Sequence, residues 1–168
     1  SIYKKDMMSL RNSMHLVILL VNGSKILHLK NSDITINSTD ILYLSQSSYF
    51  MSEITGDKNN FESILIFFDD EYVFNFIKKY NIILDTIEKK DVLVLNRDHF
   101  INNCVNIVNQ FFQTSINNSL DLVKLKLDEL FLYSLSKDKE RFSAFLNKII
   151  QTKSSRTKYI LEENLDII

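Results

Sequence analysis

Proline and tryptophan are absent from this 168-residue chain, and glycine, cysteine and histidine are scarce. The two glycines, Gly23 and Gly56, stand too far apart to build a phosphate-cradling loop, which excludes Gly-rich nucleotide sites. A lone Cys104 cannot close an internal disulfide, so nothing points to secretion. His15, His28 and His99 include no pair at metal-ligand spacing within one element, so no metal or other cofactor is expected. Basic residues show no excess: 20 Lys and Arg face 21 Asp and Glu. Nucleic-acid binding draws most of its affinity from phosphate neutralisation, so these residues are not expected to hold DNA themselves. The longest apolar run, Leu16 to Val21, is strand-sized and far below a membrane span of roughly 18 residues. No signal peptide is visible, and a cytoplasmic location is expected. No serine sits in a nucleophile-elbow context, and acidic pairs such as Asp69-Asp70 read as helix caps or solvated charges. The expectation is no catalytic residues and no enzyme.

What is present divides in two. Residues 1–68 read as strands separated by turn signals. Met14 to Val21 is apolar and partly β-branched, and Asn22-Gly23 after it predicts a two-residue hairpin into Ile26–Leu29. Ile34-Thr35-Ile36 alternates as a half-buried strand does. Ile41–Leu44, Tyr49–Met51 and Phe61–Phe68 continue the series, with a polar turn at Thr55–Asn60. Short, closely spaced strands predict an antiparallel barrel or sandwich.

Helical spacing takes over after Phe68. Asp69 or Asp70 caps a helix with Tyr72, Val73, Phe76, Ile77 and Tyr80 on one side. Asp91–Leu95 is one more strand, possible as an edge. A helix from about Arg97 to Gln113 carries Cys104 on its apolar stripe, which reads as an inert core thiol. Ser119 caps a helix from Leu120 to Leu135, and a further helix aligns Phe142, Phe145, Leu146, Ile149 and Ile150.

The helix at 120–135 has two apolar faces. Leu120, Val123, Leu127, Leu130 and Phe131 share one, while Leu122, Leu125 and Leu132 lie away from it. Both must be covered, either within the fold or by a second chain. Leu122, Leu125, Glu129 and Leu132 are therefore the candidate residues of a homodimer interface.

Taken in order, the segments resemble the N-terminal domain of bacterial AraC/XylS-type transcription regulators. The apolar strand with Asn22-Gly23 is similar to the family's opening hairpin. Ile34 to Leu44 resembles the cupin-like signature, with Ser38-Thr39 in place of the usual Pro-Gly, so that the tight turn must differ. Phe67-Phe68-Asp69-Asp70-Glu71-Tyr72 resembles the point where such barrels give way to helices. Leu125 to Leu130 resembles the helix that precedes the DNA-binding half, and Ile160 to Leu165 resembles the first helix entering it. The resemblance implies an α+β fold: a cupin-like antiparallel β-barrel at 1–95, a helical dimerisation region at 96–155, and a linker opening a missing helix-turn-helix domain at 156–168. It implies a sensing and dimerisation module, with DNA contacted only through that missing domain and no role at a membrane.

A small barrel encloses packed side chains or one small ligand. Leu, Ile and aromatic lining suits an apolar effector with one polar end, for which Lys25, His28, Tyr43 and Tyr49 are the candidate contacts. A filled barrel would instead leave control to a regulatory protein. A stand-alone cupin-like binding protein or enzyme is the alternative, and it requires a metal or a reactive polar cluster.

Overall fold

The apolar run near the start of the chain becomes a strand buried on both sides. The computed structural model describes residues 3–4, 8–11, 14–55, 60–84 and 86–151. Along the chain it forms β1 (Tyr3–Lys4), β2 (Met8–Arg11), β3 (His15–Asn22), β4 (Ser24–His28), β5 (Asp33–Ile36), β6 (Asp40–Leu44), β7 (Ser48–Thr55) and β8 (Glu62–Phe68). Then follow α1 (Asp70–Tyr80), β9 (Val92–Asn96), α2 (His99–Gln113), α3 (Ser119–Lys137) and α4 at residues 139–151. The expected turn at Gly56 and the expected linker and helix at 156–168 lie outside the described residues.

The strands make two antiparallel sheets. One has the order β8-β3-β6-β9, and the other runs β1-β7-β4-β5 with β2 also on β7. The first sheet is the middle of three layers. Leu16, Ile18, Leu20, Leu42 and Leu44 on one face meet Leu27, Ile36, Tyr49 and Met51 of the other sheet. Val17, Leu19, Ile41 and Tyr43 on the opposite face meet Val73, Val108, Phe131, Phe142 and Phe145 of the helices. Strands covered on both faces need no polar alternation, which accounts for the unbroken run at Leu16–Leu20.

Two expectations require correction. The fold is mixed α+β with antiparallel sheets, but among the described residues the sheets are not closed into a barrel. β3 and β6 pair within one sheet, β4 and β7 within the other, and the apolar layer between them is packed rather than hydrogen-bonded. Nor is Asn22-Gly23 a hairpin turn: β3 pairs with β6 and β8, and β4 with β5 and β7. Gly23 is a corner where the chain changes sheets. Its φ is +85°, and a Cβ there would stand 2.9 Å from both the Ile54 carbonyl oxygen and Phe61 Cδ2. This position demands glycine for space as well as conformation.

The turn lacking Pro-Gly closes by another route. Asp40 N–H donates to the Asn37 carbonyl at 3.0 Å, and Asn37 N–H donates to Asp40 Oδ2 at 3.0 Å. The helix ends follow the local signals closely. Asp69 accepts from Tyr72 N–H at 2.8 Å, and Asp98 accepts from Ile101 N–H at 2.9 Å. The cap of α3 is Asn118, in the left-handed region at φ 61°, one residue before the expected Ser119. β9 is an edge strand, paired only with β6 among the described residues.

Candidate functional site

Lys25 lies in the layer between the sheets. β4 alternates, so Lys25 and Leu27 are buried while Ile26 and His28 on the opposite face are partly exposed. The Lys25 side chain is 4% exposed, and its Nζ stands 3.9 Å from Glu53 Oε1 on the directly opposite residue of β7. It also lies 5.4 Å from the centroid of the Phe61 ring. At 3.9 Å the Glu53 contact is an ion pair and not a hydrogen bond to any of the three ammonium donors. Burial lowers its pKa, against the smaller raising influence of Glu53.

The other candidate contacts are placed apart from it. His28 Nδ1 is 3.0 Å from Asp33 Oδ1 and its Nε2 is 2.8 Å from Ser52 Oγ. This carboxylate–imidazole–hydroxyl order is that of a hydrolytic triad, but Ser52 is fully buried on a strand paired on both sides. The three residues tie β5, β4 and β7 together. Tyr43 points to the helices, where its hydroxyl meets Ser134 Oγ at 2.6 Å; burial raises its pKa strongly. Tyr49 lies between the sheets, four residues along β7 from Glu53 and about 13 Å from it at strand rise. Its hydroxyl donates to the Ser45 carbonyl at 2.9 Å. Lys25 and Tyr49 thus share a layer at opposite ends, while His28 and Tyr43 belong to other faces. His15 on β3 and His28 on β4 sit in different sheets.

Sequence reasoning missed Glu53 and Phe61, because only strand register places them against Lys25. It also missed Asp128, which is buried between α1 and α3. Its carboxylate accepts from the Tyr72 hydroxyl, from the Tyr80 hydroxyl at 2.8 Å and from Lys79 Nζ at 3.1 Å. The i, i+7, i+8 spacing of Tyr72, Lys79 and Tyr80 was the available signal. Cys104 is buried on α2, and burial pushes its thiol up to about 12, well away from nucleophile chemistry.

Of the expected pairing residues on α3, Leu125 is 58% exposed and Leu122 half-buried, while Leu132 is half-buried and packs against the core beneath the helices. Glu129 accepts from Lys126 Nζ at 2.8 Å and from the Tyr133 hydroxyl at 3.0 Å. Among the described residues no cluster of three or more His, Cys, Asp or Glu is arranged to hold a metal. No described helix is long and apolar enough to cross a membrane.

No curated protein sequence matches the chain significantly. Among solved structures, apo ToxT from Vibrio cholerae superposes with a TM-score of 0.61 at 16% identity, over 92% of this chain and 63% of that one. ToxT from the same species with an unsaturated fatty acid bound superposes with a TM-score of 0.54 at 18% identity, over 86% and 55%. The AraC-like transcriptional activator CuxR gives 0.51 at 12% identity, over 73% and 42%. The chain thus spans less than two thirds of the length of each, and these likenesses establish the shared fold. A family model described as the ExsA N-terminal regulatory domain matches residues 15–145. The chain therefore belongs to the ExsA N-terminal regulatory domain family.

Proposed function

We propose that this domain senses an apolar molecule carrying a carboxylate and relays its presence through a homodimer to a DNA-binding domain beyond it. The observation that carries the reading is the Lys25 side chain, 4% exposed between apolar sheets, whose ammonium stands 3.9 Å from the Glu53 carboxylate, beyond hydrogen-bond distance. Holding a lysine side chain in an apolar layer is costly, and a ligand carboxylate within hydrogen-bond distance would satisfy its ammonium better than Glu53 does at 3.9 Å. Apolar side chains line the layer around it, as such a ligand's tail requires. ToxT solved with an unsaturated fatty acid, and with a naphthalene-bearing butenoic acid, supports the same ligand class.

In this reading residues 1–95 hold the effector, 96–155 carry the pairing face at Leu122, Leu125, Glu129 and Leu132, and 156–168 lead toward DNA binding. The ligand tail would part the packed sheets near Phe61, and α1 to α4 rest on the other side of the same middle sheet.

Thermal unfolding with oleic acid and with oleyl alcohol tests the headgroup requirement. The acid should raise the Tm, the alcohol should not, and Lys25→Met should abolish the difference. Equal shifts with both lipids, or an unchanged response in Lys25→Met, would overturn Lys25 as anchor. No shift with either would return control to a protein partner.

A further inference from the structure

Lys25 of β4 and Glu53 of β7 are directly opposite partners, two residues along from the Leu27–Met51 pair that faces the layer between the sheets. Both side chains therefore turn into that layer. Lys25 is 4% exposed and Glu53 19%, so the glutamate is the member of the pair more open to water. The strand pleat sets its direction, because β7 is paired with β4 on one side and with β1 and β2 on the other. Glu53 is thus held in the layer, yet within reach of a proton from solvent.

The pair is neutral as it stands, and the charges around it are already matched. From Ile36, opposite Lys25, the chain turns to Asp40 on β6. Asp40 accepts from Asn37 N–H at 3.0 Å, and its charge acts on Arg97, which in turn donates to the Asp40 and Leu20 carbonyl oxygens. Across the layer β3 presents Leu16, Ile18 and Leu20, and Phe61 packs in from the start of β8. Lys4 of β1 is in register with Ile54 and Arg11 of β2 with Ser48, so neither is in register with Glu53. A carboxylate brought to Lys25 adds a second anion to one ammonium in this apolar surrounding. One negative charge is then left over, which burial penalises and a single proton removes. We infer that Glu53 takes up one proton from the buffer as an apolar carboxylate binds at Lys25, a step that rests on Lys25 being the ligand's anchor. The protonated carboxyl then has a hydrogen bond to donate to the ligand, where the carboxylate would repel it. Binding and proton uptake are one event, so affinity falls as pH rises, by up to about tenfold per pH unit.

Calorimetric titration of the 168-residue chain with sodium decanoate, in two buffers of different ionisation heat, counts the protons. About one should be taken up per ligand near neutral pH. Difference infrared spectra locate it. Binding should bring up the C=O stretch of a neutral carboxylic acid, which stays in place when the decanoate carboxyl is isotopically labelled and disappears in Glu53→Gln. Binding without uptake would overturn the inference, since Glu53 then keeps its charge. Uptake without the band would place the proton on Lys25, whose pKa burial lowers, and would overturn it too. So would a band that moves with the label or survives in Glu53→Gln, because the proton would then sit on the ligand or on another carboxyl. All of these outcomes leave Lys25 in place as anchor. No heat of binding and no rise in Tm with decanoate would remove the anchor itself, and the proton step with it.

Discussion

The Tyr43 and Ser134 hydroxyls meet at 2.6 Å where the middle sheet is covered by α3, with both residues fully buried. Around them the Tyr43 ring contacts Phe131, Phe142 and Phe145 edge-on or tilted, at centroid distances of 5.0 to 5.9 Å. The sheet and the helices are therefore joined by one specific polar bond inside an aromatic cluster. Tyr43→Phe strands the Ser134 hydroxyl and should cost about 1–3 kcal/mol in urea unfolding. Adding Ser134→Ala should recover part of that loss, since no orphaned donor then remains. Strictly additive losses in the double-mutant cycle would show that the bond contributes nothing.

Gly23→Ala should destabilise the fold by about 1–3 kcal/mol, because the substitution meets both a positive φ and a 2.9 Å approach to backbone. Asparagine tolerates the left-handed region but carries the same Cβ. Gly23→Asn should therefore be no better than alanine. A near-wild-type Tm for Gly23→Asn would mean that conformation alone, and not the close approach of Ile54 and Phe61, fixes this glycine.

Lys25 gives stability a defined pH dependence. Its pKa in the folded state is lowered from 10.5, so the unfolded chain binds this proton more tightly. Stability should then rise with pH between the lowered value and 10.5, as the buried ammonium gives up its charge. Lys25→Met removes this contribution. Denaturant midpoints of the two proteins, compared from neutral pH upward, should show the wild type gaining on the variant. Parallel profiles would mean that the ammonium is as well solvated in the fold as outside it.

Leu125 is exposed on the face of α3 opposite the core, so Leu125→Glu should change monomer stability by no more than about 0.5 kcal/mol. If that face pairs two chains, the same substitution should halve the mass seen by sedimentation. Leu132→Glu should act likewise, with a larger stability cost because that residue is half-buried. A wild-type chain that is monomeric at every concentration would sink the pairing face.

The sequence by itself determined most elements from β3 onward, their order and the cap of α1, while the α3 cap fell one residue before the expected Ser119. Strand alternation, the 3.6-residue apolar stripes of α1 and α2, and the carboxylates of Asp69 and Asp98 are local properties, settled by neighbours within a turn or two. The two apolar faces of α3 were legible for the same reason. Tertiary structure decided everything that depends on register and on which layer lies above which. Asn22-Gly23 carries a hairpin signal, yet the middle sheet needs β6 and β8 beside β3, so burying both of its faces outweighed the local turn preference. Period-two alternation placed Lys25 and His28 on opposite faces, but which of those faces becomes the interior is fixed only when the second sheet docks. That docking buries the Lys25 ammonium beside Glu53, 28 residues further along the chain, and leaves His28 bonded to Asp33 and Ser52 on the other face.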